Sequence, residues 1–264
     1  KVLILDPTYG EYAHVLENVV RCKVDRFLLD RENGYALDPN SLEPYFNDGY
    51  DLIILVNPNN PAGTYVERDM MEDVLSKIPS TTLVWIDETY IEYVGSENSL
   101  ERFAATTDNI VVCKSMSKVY ALSGLRVGYM CGPLQIIESL RTLTPPWNVG
   151  LPSQVAAVKA LEDPDYYQRR YQETHQLRFK LSTDLMEMAN IDVINGFANF
   201  LLCEIPSRGP VTTELIEKCR RDGLYIRNVA TTSSRLSQRM FRVAVKDQET
   251  NSKIVAILAA AINN

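Results

Sequence analysis

The stretch Cys113–Gly128, CKSMSKVYALSGLRVG, is the most informative part of this sequence. Lys118 offers an amine nucleophile after two serines in a Ser-x-Ser-Lys pattern, and Arg126 follows eight residues later within Gly-Leu-Arg-x-Gly. We expect Gly124 and Gly128 to let the backbone approach this site closely. An amine beside hydroxyls and a guanidinium is the set needed to hold a phosphorylated aldehyde covalently. The stretch therefore predicts a site for a small phosphorylated molecule.

Two further motifs stand upstream in a defined order. Asn57–Thr64 reads NPNNPAGT, and Ile86–Tyr90 reads IDETY at the end of an apolar run. With Ser-x-Ser-Lys, this succession resembles fold-type-I pyridoxal-phosphate enzymes, and among them the class I and II aminotransferases of the histidinol-phosphate aminotransferase and threonine-phosphate decarboxylase branch. The resemblance covers nearly all of the chain. It implies an α/β fold with a mostly parallel sheet flanked by helices, a smaller α+β C-terminal domain, and pyridoxal 5′-phosphate as cofactor.

The resemblance assigns the aldehyde and the phosphate of this cofactor to the stretch around Lys118. It implies that Lys118 forms a Schiff base and later acts as general acid and base, and that Ser115, Ser117 and Arg126 bind the phosphate. Because a lysine amine is nucleophilic only when unprotonated, we expect desolvation or a neighbouring positive charge at Lys118. Taken singly, these residues are better explained by a solvated lysine, capping serines and a surface ion pair, and it is their common spacing that favours the functional interpretation.

Asp87, Tyr90, Asn60 and Tyr9 match residues that surround the cofactor ring in the resembling enzymes. Asp87 follows a buried run, where an unpaired carboxylate is costly, and the resemblance implies that it meets the protonated ring nitrogen. Tyr90 and Asn60 would donate to the phenolic oxygen of the ring, and Tyr9 would stack on it. Structural alternatives are an N-cap or ion pair for Asp87, a turn for Asn60 and a core position for Tyr9.

Substrate contacts are expected from the second half of the chain. Arg242, in the alternating stretch MFRVAV (240–245), resembles the arginine that clamps a substrate carboxylate bidentately, and Asn199 matches an asparagine that assists it. Arg227 is a candidate for a distal anionic group of the substrate. A solvent-facing strand arginine explains Arg227 almost equally well.

Composition and net charge argue against several other classes of function. With 264 residues, 45% of them hydrophobic and 23% charged, the chain has globular composition and can bury a sizeable core. A net charge of −7 offers no general field for nucleic acid or an anionic membrane, and we expect neither as a partner. The longest apolar run, Ile254–Ile262, is far below the roughly 20 residues of a spanning helix, so we predict a cytoplasmic protein.

Cysteine and histidine usage supports neither a disulfide framework nor a metal centre. The five cysteines are an odd number without Cys-x-x-Cys spacing, which predicts buried free thiols in a reducing compartment. The two histidines, His14 and His175, make a histidine-based metal site or a Ser-His-Asp triad improbable. We therefore predict no metal.

Short β-branched runs alternate with helical patterns in the first half, which predicts a largely parallel sheet covered on both faces. The expected strands are Val2–Leu5, Arg26–Leu29, Leu52–Val56, Leu83–Ile86, Ile110–Cys113 and Val127–Cys131, and the expected helices include Glu11–Val20, Glu67–Ile78 and Leu134–Leu143. Functional side chains then belong at strand ends and in the loops that follow.

The prolines of TPPWN (144–148) interrupt this pattern and predict a hinge between a large cofactor-binding domain, residues 1–146, and a small C-terminal domain, residues 147–264. Beyond them we expect helices at Pro152–Leu161, about Asp165–Ala189, Thr213–Asp222 and Gln248–Ile262, and strands at Asp192–Ile194, Asn199–Glu204, Leu224–Ile226 and Phe241–Val245. The sequence opens directly on a strand. The family pattern has an entry helix and a phosphate-binding glycine turn before it, so we expect this front part to be absent.

Three functions are compatible with these residues. The first is an aminotransferase that uses a small amino donor, expected to bear phosphate or phosphonate, and an oxo-acid acceptor; it is preferred because transamination is the commoner activity of the fold. The second is a decarboxylase of an O-phospho amino acid, which differs in the Cα bond held perpendicular to the imine plane. The third is a catalytically silent binding module, against which the joint presence of Lys118, Asp87 and Arg126 speaks. The resemblance also implies a homodimer.

Overall fold

The computed structural model describes residues 1–189 and 191–263 and contains two β-sheets. The first sheet is formed by β1 (Val2–Asp6), β2 (Val24–Leu28), β3 (Leu52–Val56), β4 (Leu83–Asp87), β5 (Ile110–Ser115) and β6 (Gly128–Cys131). Its strand order is β2-β1-β3-β4-β5-β6. Strands β1 to β5 are parallel and β6 is antiparallel to β5, which confirms the largely parallel sheet.

The second sheet comes from the C-terminal half. It is formed by β7 (Asp192–Ile194), β8 (Phe200–Glu204), β9 (Arg227–Asn228) and β10 (Met240–Ala244), in the antiparallel order β7-β8-β10-β9. The predicted strand Leu224–Ile226 is wrong, since pairing begins only at Arg227. The N–H of Leu224 instead bonds to Cys219 O at 2.9 Å and closes the preceding helix after Gly223, whose φ is +77°.

Helices lie between these strands and after them. They are α1 (Gly10–His14), α2 (Arg68–Leu75), α3 (Glu101–Ala105), α4 (Leu134–Leu143), α5 (Leu151–Leu161), α6 (Pro164–Ala189), α7 (Thr212–Arg221) and α8 (Gln248–Asn263). Short 3₁₀ turns lie at Arg31–Asn33, Pro39–Tyr45, Ile91–Tyr93, Ser96–Asn98 and Ser123–Leu125. The single helix predicted for Glu11–Val20 is instead α1 followed by a π-helical segment, Val15–Val20, where three β-branched valines disfavour a regular α-helix.

The buried apolar residues form five clusters, and the two largest contain most of the strand residues. The first contains Leu3, Ile53 and Ile86 of the parallel sheet and also Leu202 and Met240 of the second sheet. A second core lies between the antiparallel sheet and the helices α6, α7 and α8. Because β1 is buried along its whole length, it is covered on both faces, as a parallel strand requires.

The segment 144–148 separates α4 from α5, as its prolines predict. Its role as a hinge and the domain division at residues 146 and 147 stay predictions, and residues 190 and 264 of the predicted C-terminal domain lie outside the described residues. In the ranges 1–189 and 191–263, no helix has the length and apolar character needed to cross a membrane. Within the same ranges, no cluster of His, Cys, Asp and Glu could hold a metal ion.

All five cysteines are free thiols, as predicted. Only Cys203 and Cys219 are buried, so the prediction of burial is wrong for the other three, Cys22, Cys113 and Cys131, which are half-buried. The reasons are local, because Cys113 faces a cavity and Cys131 lies on the edge strand β6.

Candidate active site

A cavity of about 550 Å³ lies where the parallel strands end. Strand β1 sits between β2 and β3, so the chain leaves β1 and β3 towards opposite sides of the sheet, and a crevice forms at their carboxyl ends. The loops after both strands are joined there, because Thr8 Oγ1 donates to Asn59 Oδ1 at 2.9 Å and Asn59 Nδ2 donates to Pro7 O at 2.9 Å. The sheet topology therefore creates the cavity and these side-chain hydrogen bonds stabilise its rim.

Nearly all side chains predicted for the site line this one cavity. They are Tyr9, Asn60, Asp87, Tyr90, Ser115, Ser117, Lys118, Arg126, Arg227 and Arg242. Asn199 is not among the residues that line it. Its backbone carbonyl accepts from Val245 N at 2.9 Å, which gives it a place at the end of β10. The roles of all these residues stay predictions, but their convergence from six separate segments is a property of the fold.

Asp87 ends β4 and is 8% exposed. Its Oδ1 accepts hydrogen bonds from Thr89 N at 2.9 Å and Thr89 Oγ1 at 2.6 Å, and its Oδ2 accepts one from Tyr12 Oη at 2.7 Å. These two bonds from Thr89 form a local turn, and Asp87 is not a helix N-cap, because the next helical turn begins at Ile91 with Tyr90 at its N-cap. The same carboxylate also faces the cavity.

Lys118 and Arg126 lie in the exposed turns after β5. Arg126 Nη1 donates to Ser117 Oγ at 3.3 Å and to Ser123 O at 2.9 Å, and its backbone has a positive φ of 51°. A non-glycine residue in this region is uncommon and typical of functional loops. The desolvation expected around Lys118 is not observed within residues 1–189 and 191–263, because Lys118 is exposed.

The two glycines of this region differ. A side chain at Gly128 would bring a Cβ within 2.7 Å of Lys114 O, so the neighbouring strand leaves no room for one. At Gly124 no atom lies within 4 Å of the equivalent position, and the close approach of both glycines to a bound phosphate stays a prediction. The reason is that Gly128 pairs in register with Ser115 on β5, whereas Gly124 lies in an exposed 3₁₀ turn.

Asn60 and Arg242 join the two sheets across the cavity. Arg242 Nη1 donates to Asn60 Oδ1 at 2.7 Å, and its guanidinium carbon lies 4.6 Å from the centre of the Phe200 ring. Because arginine has donors only, the oxygen of the Asn60 amide must face Arg242, and the amide NH₂ is left as a donor. Burial lowers the pKa of Arg242, and the neighbouring Arg227 acts in the same direction.

Arg227 and Arg242 occupy opposite positions on the antiparallel strands β9 and β10. Like charges at such positions repel each other. In the part of the chain that the structure describes, neither forms an ion pair, and the same holds for Lys118 and Arg126. The cavity therefore presents four cations without carboxylate partners, a charge arrangement suited to anionic ligands.

The two tyrosines predicted for the ring differ in exposure. Tyr90 is 5% exposed, packs edge-on against Phe200 at 5.2 Å between ring centres, and has its pKa raised to about 12, mainly by burial. Tyr9 is 45% exposed and stands edge-on to Tyr12 at 5.9 Å. Tyr9 is therefore not a core residue, which removes the structural alternative considered for it.

A closed ion cluster lies directly beside the cavity. Lys114 Nζ is 3.0 Å from Glu92 Oε1, 3.4 Å from Glu101 Oε1 and 3.7 Å from Glu88 Oε2. Glu88 is completely buried and also accepts from Ser99 Oγ at 2.6 Å. Burial acts to lower the pKa of Lys114, but the three carboxylates together raise it above its ordinary value.

Sequence reasoning missed this cluster and also missed Tyr12, Thr89 and Thr232, which line the cavity. A usable signal for Tyr12 was its place three residues after Tyr9, which puts both rings on the same helical turn after β1. For the cluster, strand alternation was the available signal, since neighbouring residues at a strand end face opposite sides.

A model of the family described as aminotransferase class I and II matches residues 1–258. The chain is 28% identical over 263 residues to a histidinol-phosphate aminotransferase of Methanococcus maripaludis, covering 99% of this chain and 69% of that protein. Histidinol-phosphate aminotransferase of Clostridium acetobutylicum superposes with a TM-score of 0.90 at 25% identity, over 100% of this chain and 78% of that one. L-Threonine-O-3-phosphate decarboxylase of Porphyromonas gingivalis has the same fold, with a TM-score of 0.83 at 20% identity over 98% and 76% of the two chains.

Proposed function

Because the chain belongs to the class I and II aminotransferase family, whose members use pyridoxal 5′-phosphate, we propose that it transfers amino groups from a small amino compound bearing phosphate or phosphonate to an oxo acid. A phosphate- or phosphonate-bearing substrate is supported by the four cations in the cavity that have no carboxylate partner among the described residues, more than the cofactor needs. Arg126 and Lys118 are used by the cofactor in this proposal, which leaves Arg227 and Arg242 for the substrate. The enzyme has the type I fold of its relatives.

The donor set of the cavity fits the cofactor. The hydroxyls of Ser115 and Ser117 and the guanidinium of Arg126 suit a phosphate. The buried carboxylate of Asp87 suits a protonated ring nitrogen, and the amide of Asn60 and the phenol of Tyr90 suit a phenolic oxygen. The amine of Lys118 suits an aldehyde. When bound, pyridoxal phosphate supplies the electron sink that stabilises negative charge at Cα of the amino compound.

Each residue has a separate task in this proposal. Lys118 Nζ would hold the aldehyde carbon of the cofactor and, once free, would act as the general acid and base that moves a proton between Cα of the amino compound and the C4′ carbon of the cofactor. Asp87 would accept a hydrogen bond from the protonated ring nitrogen. Asn60 keeps its NH₂ turned towards the cavity because its oxygen is held by Arg242, so one arginine both orients the amide and binds a substrate anion.

The opposed pair Arg227 and Arg242 supports the choice of substrate. Two like charges on neighbouring strands are unfavourable until an anion lies between them. A dianionic phosphate or the two carboxylates of a dicarboxylic oxo acid would each satisfy both guanidinium groups. The same pair can therefore serve the amino donor and the oxo-acid acceptor in turn.

We also propose that two copies of the chain associate through the face formed by α4, α5 and the loop between them. This face carries exposed apolar side chains, namely Leu134, Leu143, Trp147, Leu151, Val155 and Val158, each at least 53% exposed. Patches of this kind mark interaction surfaces. α5 packs directly on the turn after Lys118, since Ser153 Oγ donates to Leu125 O at 2.8 Å. A second copy on this face would thus also cover the exposed side of Lys118.

The proposed reaction is tested by loading the chain with pyridoxal phosphate and following its visible absorption with histidinol phosphate or O-phosphothreonine as donor. We expect conversion to the pyridoxamine form, and its reversal by 2-oxoglutarate. The dephosphorylated donors are the matched controls and should react at least about tenfold more slowly, because each charge-assisted contact contributes about 1.5–3 kcal/mol. Equal rates for both donor forms would contradict the substrate class.

Two other outcomes identify the alternative functions. Release of carbon dioxide without the pyridoxamine form would establish a decarboxylase of an O-phospho amino acid, which presents the same anionic groups to Arg227 and Arg242. Absence of any bound-cofactor absorption would establish a catalytically silent module. Sedimentation of the chain at increasing concentration tests the second copy, and a monomer at all concentrations would contradict it.

A further inference from the structure

Tyr12 occupies a position next to Asp87 that the proposed mechanism does not use. It lies on α1, directly after β1, and lines the cavity. Its hydroxyl is 2.7 Å from Asp87 Oδ2 and 3.1 Å from Trp85 Nε1. Trp85 and Asp87 are two residues apart on β4, so they point to the same face of the sheet and Tyr12 bridges them.

The direction of both hydrogen bonds follows from the chemistry of the partners. An indole nitrogen is a donor only, so Tyr12 Oη must accept from Trp85. The carboxylate of Asp87 accepts only, so the single phenolic proton must be donated to Oδ2. Burial, and next the negative charge of Asp87, raise the pKa of Tyr12 well above its ordinary value, which keeps this proton in place.

The oxygens of Asp87 are consequently not equivalent. An ionised carboxylate has about four acceptor positions, two on each oxygen. Thr89 fills both positions on Oδ1 through its N–H and its hydroxyl, and Tyr12 fills one position on Oδ2. One acceptor position is left, and it belongs to Oδ2.

We propose that Tyr12, held by Trp85, is a positioning residue that fixes the rotation of the Asp87 carboxylate and so presents the remaining acceptor position of Oδ2 to the protonated ring nitrogen of pyridoxal phosphate. The inference rests on the proposed function, because it needs that cofactor in this cavity. The inference adds Tyr12 to the proposed mechanism as a residue that acts by orienting Asp87. Without the Tyr12 donor, the Asp87 carboxylate would be free to rotate. It would also compete more strongly with the ring nitrogen for the proton that lies between them.

A purely structural role is the competing explanation, since the same hydrogen bond would anchor α1. The fold contains a matched control at the opposite, amino end of the sheet. Tyr50 is 5% exposed and its hydroxyl donates to Asp25 Oδ2 at 3.0 Å. Tyr50→Phe therefore removes a tyrosine–aspartate hydrogen bond of the same kind at a distance from the cavity.

The experiment compares Tyr12→Phe with Tyr50→Phe in the intact chain loaded with pyridoxal phosphate that carries ¹⁵N in its ring. For Tyr12→Phe we expect the ring-nitrogen shift to move towards that of an unprotonated ring and kcat to fall about tenfold, while KM for the donor changes less than about twofold. Tyr50→Phe should leave the nitrogen shift and kcat unchanged. Thermal unfolding of the cofactor-free variants serves as the independent measure of structural damage.

Trp85→Phe sharpens the test, because it removes the donor that orients the Tyr12 hydroxyl. Alone it should move the nitrogen shift in the same direction by a smaller amount, and combined with Tyr12→Phe it should add nothing further. Additive effects would contradict the relay from Trp85 through Tyr12 to Asp87.

The outcomes also separate this inference from the proposed function. If wild type binds the cofactor and transfers amino groups but Tyr12→Phe and Tyr50→Phe have equal nitrogen shifts and equal kcat, only the positioning role is overturned. If wild type shows no cofactor absorption, the proposed function fails and the inference fails with it.

Discussion

Lys114 and Lys118 stand four residues apart and have opposite surroundings. Lys114 is 4% exposed and lies within 4 Å of three carboxylates. Lys118 is exposed, lines the cavity and has no ion-pair partner within residues 1–189 and 191–263. The comparison shows that carboxylates compensate the charge of the buried lysine, whereas the exposed lysine in the cavity has no carboxylate partner among the described residues.

The physical reason is the alternation of side chains at the end of β5. Cys113 and Ser115 face the cavity, so Lys114 between them faces the opposite side, towards Glu92. A buried ammonium group requires compensation from nearby carboxylates, whereas a cation in an open cavity stays hydrated until an anion replaces the water. Substitution of the buried Lys114 should therefore change stability, whereas substitution of a cation in the cavity should change activity.

The largest effect is expected on the amino-transfer rate, when Lys118→Ala is compared with the wild-type chain. We expect the amino-transfer rate to fall by about 10²–10⁴-fold, since both covalent binding and proton transfer are lost. The free energy of unfolding of the cofactor-free chain should change by less than about 0.5 kcal/mol. Lys159→Ala, another exposed lysine, is the control and should change neither quantity. Normal turnover of Lys118→Ala would contradict a catalytic role of Lys118 and the proposed functional difference between Lys118 and Lys114.

The opposite pattern is expected for Lys114→Met. Removing the ammonium leaves three carboxylates without their counter-charge, and loss of one partner of a buried ion pair costs about 3–5 kcal/mol of unfolding free energy. Urea denaturation measures this loss. Lys77→Met is the control, because Lys77 pairs with Glu43 and Asp73 at the surface and should lose at most about 1 kcal/mol. Equal losses for the two variants would show that the Lys114 cluster is not a closed structural unit.

A smaller effect is expected at the open arginine pair. Arg227→Ala should lower kcat/KM for a phosphorylated donor by about 10–100-fold, equivalent to the 1.5–3 kcal/mol of one charge-assisted contact. The dephosphorylated donor should change less than about threefold. Loss of activity with both donors would place Arg227 in the structure of the cavity rather than in substrate recognition.

The smallest effect concerns the pH dependence of the closed cluster. Burial raises the pKa of Glu88 to about 7, and Lys114 and the hydrogen bonds from Ser99 and Leu100 offset only part of this. The native state therefore binds this proton up to higher pH than the unfolded chain, and the associated stability is present at low pH and lost as pH rises through 7. Between pH 5 and 8, unfolding free energy should fall more for wild type than for Glu88→Gln. Parallel curves would contradict the assignment.

The local parts of the fold were predictable from sequence. Strand β3, Leu52–Val56, and helix α4, Leu134–Leu143, have the predicted bounds because apolar runs and periodicity are local signals. The three motifs converge on one cavity because each directly follows or ends a strand of the same sheet.

The missed parts depend on distant contacts. Tyr12 meets Asp87 across 75 positions, and that contact requires the register of β1 on β3 and of β3 on β4. Asn199 is not among the residues that line the cavity, and its substrate contact, which rests on motif resemblance alone, stays a prediction.

The central claim, that Lys118 and not Lys114 meets the cofactor, is tested most directly by a chemical label. The chain is loaded with pyridoxal phosphate, reduced with borohydride so that the bound lysine becomes a stable secondary amine, and mapped by mass spectrometry of its peptides. We expect the cofactor mass on Lys118 at one equivalent per chain, with Lys114 unmodified. The mass on Lys114, or spread over surface lysines such as Lys159 without preference for Lys118, would contradict it.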